Sequence, residues 1–192
     1  MRTATVTRKT KETEISVALC LDGGEFSPNI PSGFLTHMLD AFAKHARVGL
    51  TVEAKGDVQV DLHHTVEDIG IVMGRALKKA LGEKKGITRY GLAKVPMDEC
   101  LVEACLDISG RPYFQVHGGD VFNGQAGDLN LELVPEFFRA LAFNAGITLH
   151  LSVFASGSGH HLAEACFKAF ARALREAAAI TGDDVPSTKE SL

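Results

Sequence analysis

Apolar residues recur at helical spacing in two stretches of the first half of the chain. Leu35, Met38, Leu39 and Phe42 share one face of a helix over FLTHMLDAFAKHA. Val66, Ile69, Val72, Met73, Ala76, Leu77 and Leu81 share one face of a second, amphipathic helix. Between them Val48–Ala54 and Val58–Leu62 alternate apolar with polar and predict two strands. Ahead of the first helix, Thr3–Arg8 and Ile15–Leu21 predict a hairpin, after which Asp22-Gly23-Gly24 turns the chain. The pattern then returns. Cys100–Ile108 and Tyr113–His117 predict leading strands, EFFRALAFNA from Glu136 a helix, ITLHLSVFA from Ile147 a strand, and Leu162–Ala178 a long helix.

The recurrence extends to side chains. His-His-x-x-Glu opens the last helix of each half, as HHTVE at 63–67 and HHLAE at 160–164, and each of those helices carries Arg-Ala-Leu (75–77 and 172–174). An ordered set of coincidences of this kind points to duplication. The expected architecture is α+β: two pseudo-symmetric halves, residues 1–83 and 84–192, each a small mixed sheet with two helices on one face. Gly82–Pro96 is expected to link them, and the tail Gly182–Leu192 has the composition of a loop.

Composition narrows what such a chain does. With 192 residues, 45% of them hydrophobic, it can bury a substantial core. A net charge of −4 argues against nucleic acid as a partner. The apolar stretches are too short and too interrupted by charge to span a membrane. The opening Met1–Ala4 lacks the apolar run of a secretion signal. Cys20, Cys100, Cys105 and Cys166 show no paired spacing and read as buried free thiols, so a reducing, cytoplasmic setting is expected.

Eight histidines, half of them in the two adjacent pairs, then stand out. On a helix Glu67 lies three and four residues from His64 and His63, within reach of both. The two histidines point about 100° apart and more naturally serve two ions than chelate one. Thr65 followed by Asp68 places the helix start there, with the pair at its mouth. Aligning the halves pairs His37 with Glu136, each near the start of the preceding helix and followed by two apolar residues. The candidate ligands are therefore His37, His63, His64, Glu67, Glu136, His160, His161 and Glu164. Imidazole with carboxylate and no thiolate suits Mn²⁺, Fe²⁺ or Zn²⁺, and Mn²⁺ where coordination is octahedral. His117 and His150 fall outside the repeat and read as structural. On residues alone a binuclear hydrolase, or an assembly protein whose ions only bridge subunits, fits as well.

Eight blocks narrow this further: RKTKETEISVAL (8–19), FLTHML (34–39), DLHHTVEDIGI (61–71), MDECL (97–101), SGRP (109–112), AFNAGITLH (142–150), HHLAEACFKAFARAL (160–174) and PSTKESL (186–192). In this order, over nearly the whole chain, they resemble imidazoleglycerol-phosphate dehydratase. The resemblance implies a ribosomal protein S5 domain 2-like fold. It implies dehydration of D-erythro-imidazole glycerol phosphate to imidazole acetol phosphate in histidine biosynthesis, through an imidazolate stabilised by two Mn²⁺ per active site. It also implies a homo-oligomer of 24 subunits whose active sites draw ligands from more than one chain. Glu12 and His45 are implied as acid–base residues, with Glu12 also touching substrate. Arg89, Arg111, Lys168, Ser187 and Lys189 are implied to hold the phosphate; Asp98 and Glu99, a carboxylate pair at a strand start, read either as lining the pocket or as simply exposed. Two positions depart from the family pattern: Glu136 stands where some members have His, and Glu190 where Gly is expected after Lys189.

Overall fold

The computed structural model describes residues 1–189 and 192; Glu190, the departure noted above, lies outside the described residues. Strands β1 (Thr3–Lys9), β2 (Thr13–Cys20), β3 (Phe26–Asn29) and β4 (Gly49–Gly56) form one sheet in the order β1-β2-β4-β3. Strands β5 (Tyr90–Met97), β6 (Cys100–Asp107), β7 (Tyr113–His117) and β10 (Thr148–Ala155) form a second, ordered β5-β6-β10-β7. The two orders match position for position, as duplication requires. In both sheets the third strand is an edge and pairs parallel to the strand after the first helix, while the other pairings are antiparallel.

Each sheet buries one face. Ile15, Val17 and Leu19 of β2 and Leu50 and Val52 of β4 point inward, as do Val102, Ala104 and Leu106 of β6 and Leu149 and Leu151 of β10. This is the period-two pattern of a half-buried sheet. Helix α2 (His63–Leu81) covers the first sheet and α4 (Gly159–Ala177) the second. Helices α1 (Gly33–Ala46) and α3 (Leu133–Ala145) then pack across the halves, α1 on α4 and α2 on α3. Gly70 and Gly74 bring α2 within backbone distance of α3, since a Cβ on Gly70 would sit 2.7 Å from the Phe137 carbonyl oxygen. The α1–α4 seam is filled instead by aromatic rings, Phe42 stacked on Phe170 at 5.7 Å.

Five expectations need correction. Of the four thiols expected to be buried only Cys100 and Cys166 are; Cys20 is half-buried and Cys105 exposed. Residues 58–62 are not a strand. β4 ends where Gly56 runs against Thr65, and the chain turns with the Val60 N–H donating to the Asp57 carbonyl, leaving Val60 67% exposed. Alternation without a sheet to face does not make a strand. Helix α2 starts at His63, not Thr65: the Asp61 carboxylate accepts the His63 N–H at 2.7 Å, and the Thr65 hydroxyl has no partner among the described residues. The link between halves ends at Arg89, because Tyr90–Met97 is already strand. Finally, β3 and a small hairpin of β8 (Gln125–Ala126) and β9 (Leu129–Asn130) were not expected.

Candidate metal centres and active site

The helix pairs bring six of the eight candidate ligands into two trios. His37 of α1 meets His160 and Glu164 of α4, and Glu136 of α3 meets His63 and Glu67 of α2. Within each trio the donor atoms lie within 4.8 Å of one another. In the first, the Glu164 Oε2 is 3.4 Å from the His37 Nε2 and 3.3 Å from the His160 Nε2. The pairing of His37 with Glu136 made from the repeat is thus the pairing that places each in an equivalent cluster. Every donor sits within the first two turns of its helix, where i,i+4 spacing stacks His63 on Glu67 and His160 on Glu164.

His64 and His161 turn away from the trios. Their rings stand nearly perpendicular to those of His63 and His160, with centroids 6.1 and 6.0 Å apart. The His64 Nδ1 lies 3.0 Å from the Asp57 carboxylate and 3.9 Å from that of Glu12. The His161 Nδ1 lies 3.0 Å from Glu99 and 4.0 Å from Asp98. Glu12 belongs to the β1–β2 hairpin and Asp98 and Glu99 to the β5–β6 hairpin, so this arrangement also repeats. The hydrogen bond with Asp57 raises the pKa of His64, and that with Glu99 raises His161. Glu99 is lowered to about 2, first by the Ser158 N–H and also by His161.

Each trio contains a cation. The Lys168 Nζ contacts Glu164 at 2.5 Å; burial pushes the Glu164 pKa up, but Lys168 and His37 outweigh it and the net shift is down. Arg139 forks onto both oxygens of Glu136 and reaches Glu67 at 3.3 Å, lowering the Glu136 pKa. Arg139 was missed from the sequence. Its i,i+3 spacing from Glu136 was the available signal, but an exposed helix arginine usually faces water. His45, two turns beyond His37, has its pKa lowered by burial and by Lys168 and Arg172.

The phosphate candidates fall into two places. Arg89 grips Asp107 with two hydrogen bonds of 2.7 and 3.2 Å and donates to the Pro186 carbonyl at 2.8 Å, which docks the tail. Arg111 reaches Asp107 at 3.6 Å, and in the tail the Ser187 hydroxyl accepts the Lys189 N–H at 3.2 Å. Lys168 is elsewhere, its Nζ 3.5 Å from the Met97 sulfur. Arg89 precedes Tyr90 at one end of β5 and Met97 closes the other, so about 26 Å of chain at strand rise lies between Arg89 and Met97. An open cavity of about 870 Å³ adjoins His63, lined also by Asp61, Asn123, Asp128 and Glu132.

The sequence model of the imidazoleglycerol-phosphate dehydratase family matches residues 31–174. The chain belongs to the imidazoleglycerol-phosphate dehydratase family. It is 52% identical to the imidazoleglycerol-phosphate dehydratase of Rhodopseudomonas palustris strain TIE-1, covering all of this chain and 99% of that one. It is equally similar to that of Heliobacterium modesticaldum, at 52% with full coverage of both. The crystal structure of the Staphylococcus aureus enzyme superposes with a TM-score of 0.83 at 39% identity, over 94% of this chain and 99% of that one. The Pyrococcus furiosus enzyme superposes at 0.82 and 35%, over 97% and 100%. The protein is accordingly a hydro-lyase of histidine biosynthesis that dehydrates imidazole glycerol phosphate. No helix among the described residues is long and apolar enough to cross a membrane.

Proposed function

We propose that each trio holds one divalent ion, two per active site, and that this pair drives the dehydration. The observation that carries the reading is the equivalence of the two trios, each joining donors from opposite halves of the chain, 123 to 127 residues apart in one case and 69 to 73 in the other. The donor sets fit: imidazole and carboxylate without thiolate favour Mn²⁺ in an octahedral site. When bound, the ions supply Lewis acidity toward the imidazole ring, so that charge left by removal of the neighbouring carbon-bound proton can spread.

The protein's own groups do the remainder. Glu12, beside His64, takes the carbon-bound proton. His45 protonates the departing hydroxyl. Burial and the charges of Lys168 and Arg172 hold its pKa below the usual histidine range. Arg89, Arg111, Ser187 and Lys189 orient the phosphate through charge-assisted bonds, and Asp98 and Glu99 line the pocket beside His161. The wide separation of Lys168 from Arg89 favours an active site shared between subunits, with Lys168 facing the Arg89 cluster of a neighbour. His64 and His161, turned outward, then complete the coordination of ions held by other copies. The homo-oligomer, of 24 subunits by family resemblance, and a cytoplasmic setting for its free thiols belong to the same reading.

Metal analysis of active enzyme with Mn²⁺-restored turnover tests it. Two ions per chain are expected, chelation should stop turnover, and active enzyme with one ion or none would overturn the dimetal reading.

A further inference from the structure

The two halves differ most between their third strand and the helix after it. Residues 30–32 bridge β3 and α1, whereas residues 118–132 separate β7 from α3 and contain the β8–β9 hairpin. This longer loop crosses to the other half. Asp128, at its tip, accepts the Gly33 N–H at 2.8 Å on one carboxylate oxygen. The other oxygen accepts the Phe34 N–H at 3.0 Å and the Ser32 hydroxyl at 2.9 Å. The Ser32 oxygen accepts in turn from the Leu35 N–H at 3.2 Å. The first amides of α1 are thus satisfied mainly by a carboxylate from 95 residues away, where a local cap would ordinarily suffice. Gly127 approaches so closely that a Cβ there would lie 3.1 Å from that of Phe34, and its φ of +58 would strain any other residue. The Phe34 ring meets His160 edge-on at 5.1 Å, and Leu131 packs on Gly159, the residue before His160. One loop therefore touches the N-terminal ends of both helices that carry the first trio.

From this geometry we infer that Asp128 is a positioning residue of the His37–His160–Glu164 centre, a role that rests on the metal reading above. His37 lies one turn from Gly33, on the same side of α1. Asp128 sets where that side points, and its negative charge cancels the positive end of the helix, which would otherwise repel a divalent ion at His37. The start of α3 receives no matching cap from the other half, since residues 30–32 are too short to reach across; Asp128 also lines the cavity beside His63, but its hydrogen bonds go to Ser32, Gly33 and Phe34.

Mn²⁺ alone is the probe, titrated by loss of the free-ion electron paramagnetic signal. Glu136→Ala isolates the first trio and His37→Ala the second. Adding Asp128→Ala is expected to weaken Mn²⁺ binding at the first trio by about 10–100-fold, the usual cost of losing a group that orients a ligand, and to leave the second within about twofold. Asp128→Asn, which keeps an acceptor oxygen, should recover part of the loss. A general loss of fold would lower both affinities and the melting temperature together. Unchanged affinity at the first trio, or equal loss at both, overturns the inference. Failure of the unsubstituted protein to bind Mn²⁺ overturns the metal reading, and the role of Asp128 with it.

Discussion

The α1–α4 and α2–α3 trios share a backbone plan and differ in what surrounds them. Laying His63 on His160 and His37 on Glu136 puts Lys168, the cation of the first trio, opposite Ile71. It puts Arg139, the cation of the second, opposite Asp40. Each trio draws its counter-charge from the helix that leaves the other without one. The first has a single carboxylate with Lys168; the second has two, gripped by Arg139. Further along, His45 beside Arg172 is matched by Asn144 hydrogen-bonded to Arg75 at 3.2 Å. Duplication has kept the donors in place while the neighbours diverged. On the metal reading proposed above, the donors must keep the positions an ion requires, whereas counter-charges need only neutralise.

The sharpest way to break the comparison is to remove one donor from each side. Glu136→Ala and His37→Ala should each lose one ion per chain and abolish turnover, while Glu136→His, which makes the sides alike, should keep a good part of both. Normal turnover in Glu136→Ala would dissolve the equivalence. Next come the acid–base groups. Glu12→Gln and His45→Asn should lower kcat by about 10²–10⁴-fold with metal content intact, whereas Asn144→Ala, at the position matching His45, should leave kcat unchanged. Exchange of the abstracted position with deuterated water assigns the roles, since it should stop without Glu12 and can continue without His45.

A smaller effect is expected at the phosphate. Arg111→Ala and Lys189→Ala should each raise KM by about one to two decades, from about 1.5–3 kcal/mol per charge-assisted contact, and both should leave metal content alone. At the helix seams, Gly74→Ala drives a Cβ to 2.4 Å from the Leu141 carbonyl and should cost about 1–3 kcal/mol in denaturant unfolding. The matching change on α4, Ala171→Gly, should cost only about 1 kcal/mol unless it opens a void.

The slightest effect lies on the outer face of the second sheet. His150, 2.9 Å from His117 and opposite Thr51 in the repeat, has its pKa lowered by burial and by His117. Its folded value being below the unfolded one, the neutral form is favoured by folding. Stability is unaffected above the unfolded pKa and falls as pH drops toward the folded one. His150→Asn should flatten that acid limb in a melting-temperature profile, and an unaltered limb would remove His150 as its source.

The helices and most strands were legible because each buries one face, and periodicity reports a buried face directly. The trios were half legible: repetition gave the donors, but which helix meets which is a property of packing that no local pattern carries. β3 escaped notice because Pro28 interrupts a short edge strand whose outer residues are polar. Residues 58–62 misled for the opposite reason, their valines alternating but facing water. Asp128 and Arg139 act on partners that are distant in sequence or look solvated, so nothing nearby marks them out.

Both trios straddle the repeat: His37 comes from one half while His160 and Glu164 come from the other, and Glu136 crosses in the reverse direction. A gene encoding a single half would own two donors of one set and one of its mirror image, and no complete centre. Two such polypeptides paired about a twofold axis would bring a full set of donors together, the arrangement a half-length precursor would need. Fusion removed the obligation that both copies be identical. From then on one copy could gain a long loop and the other a histidine, neither of which a symmetric ancestor could have kept on one side alone.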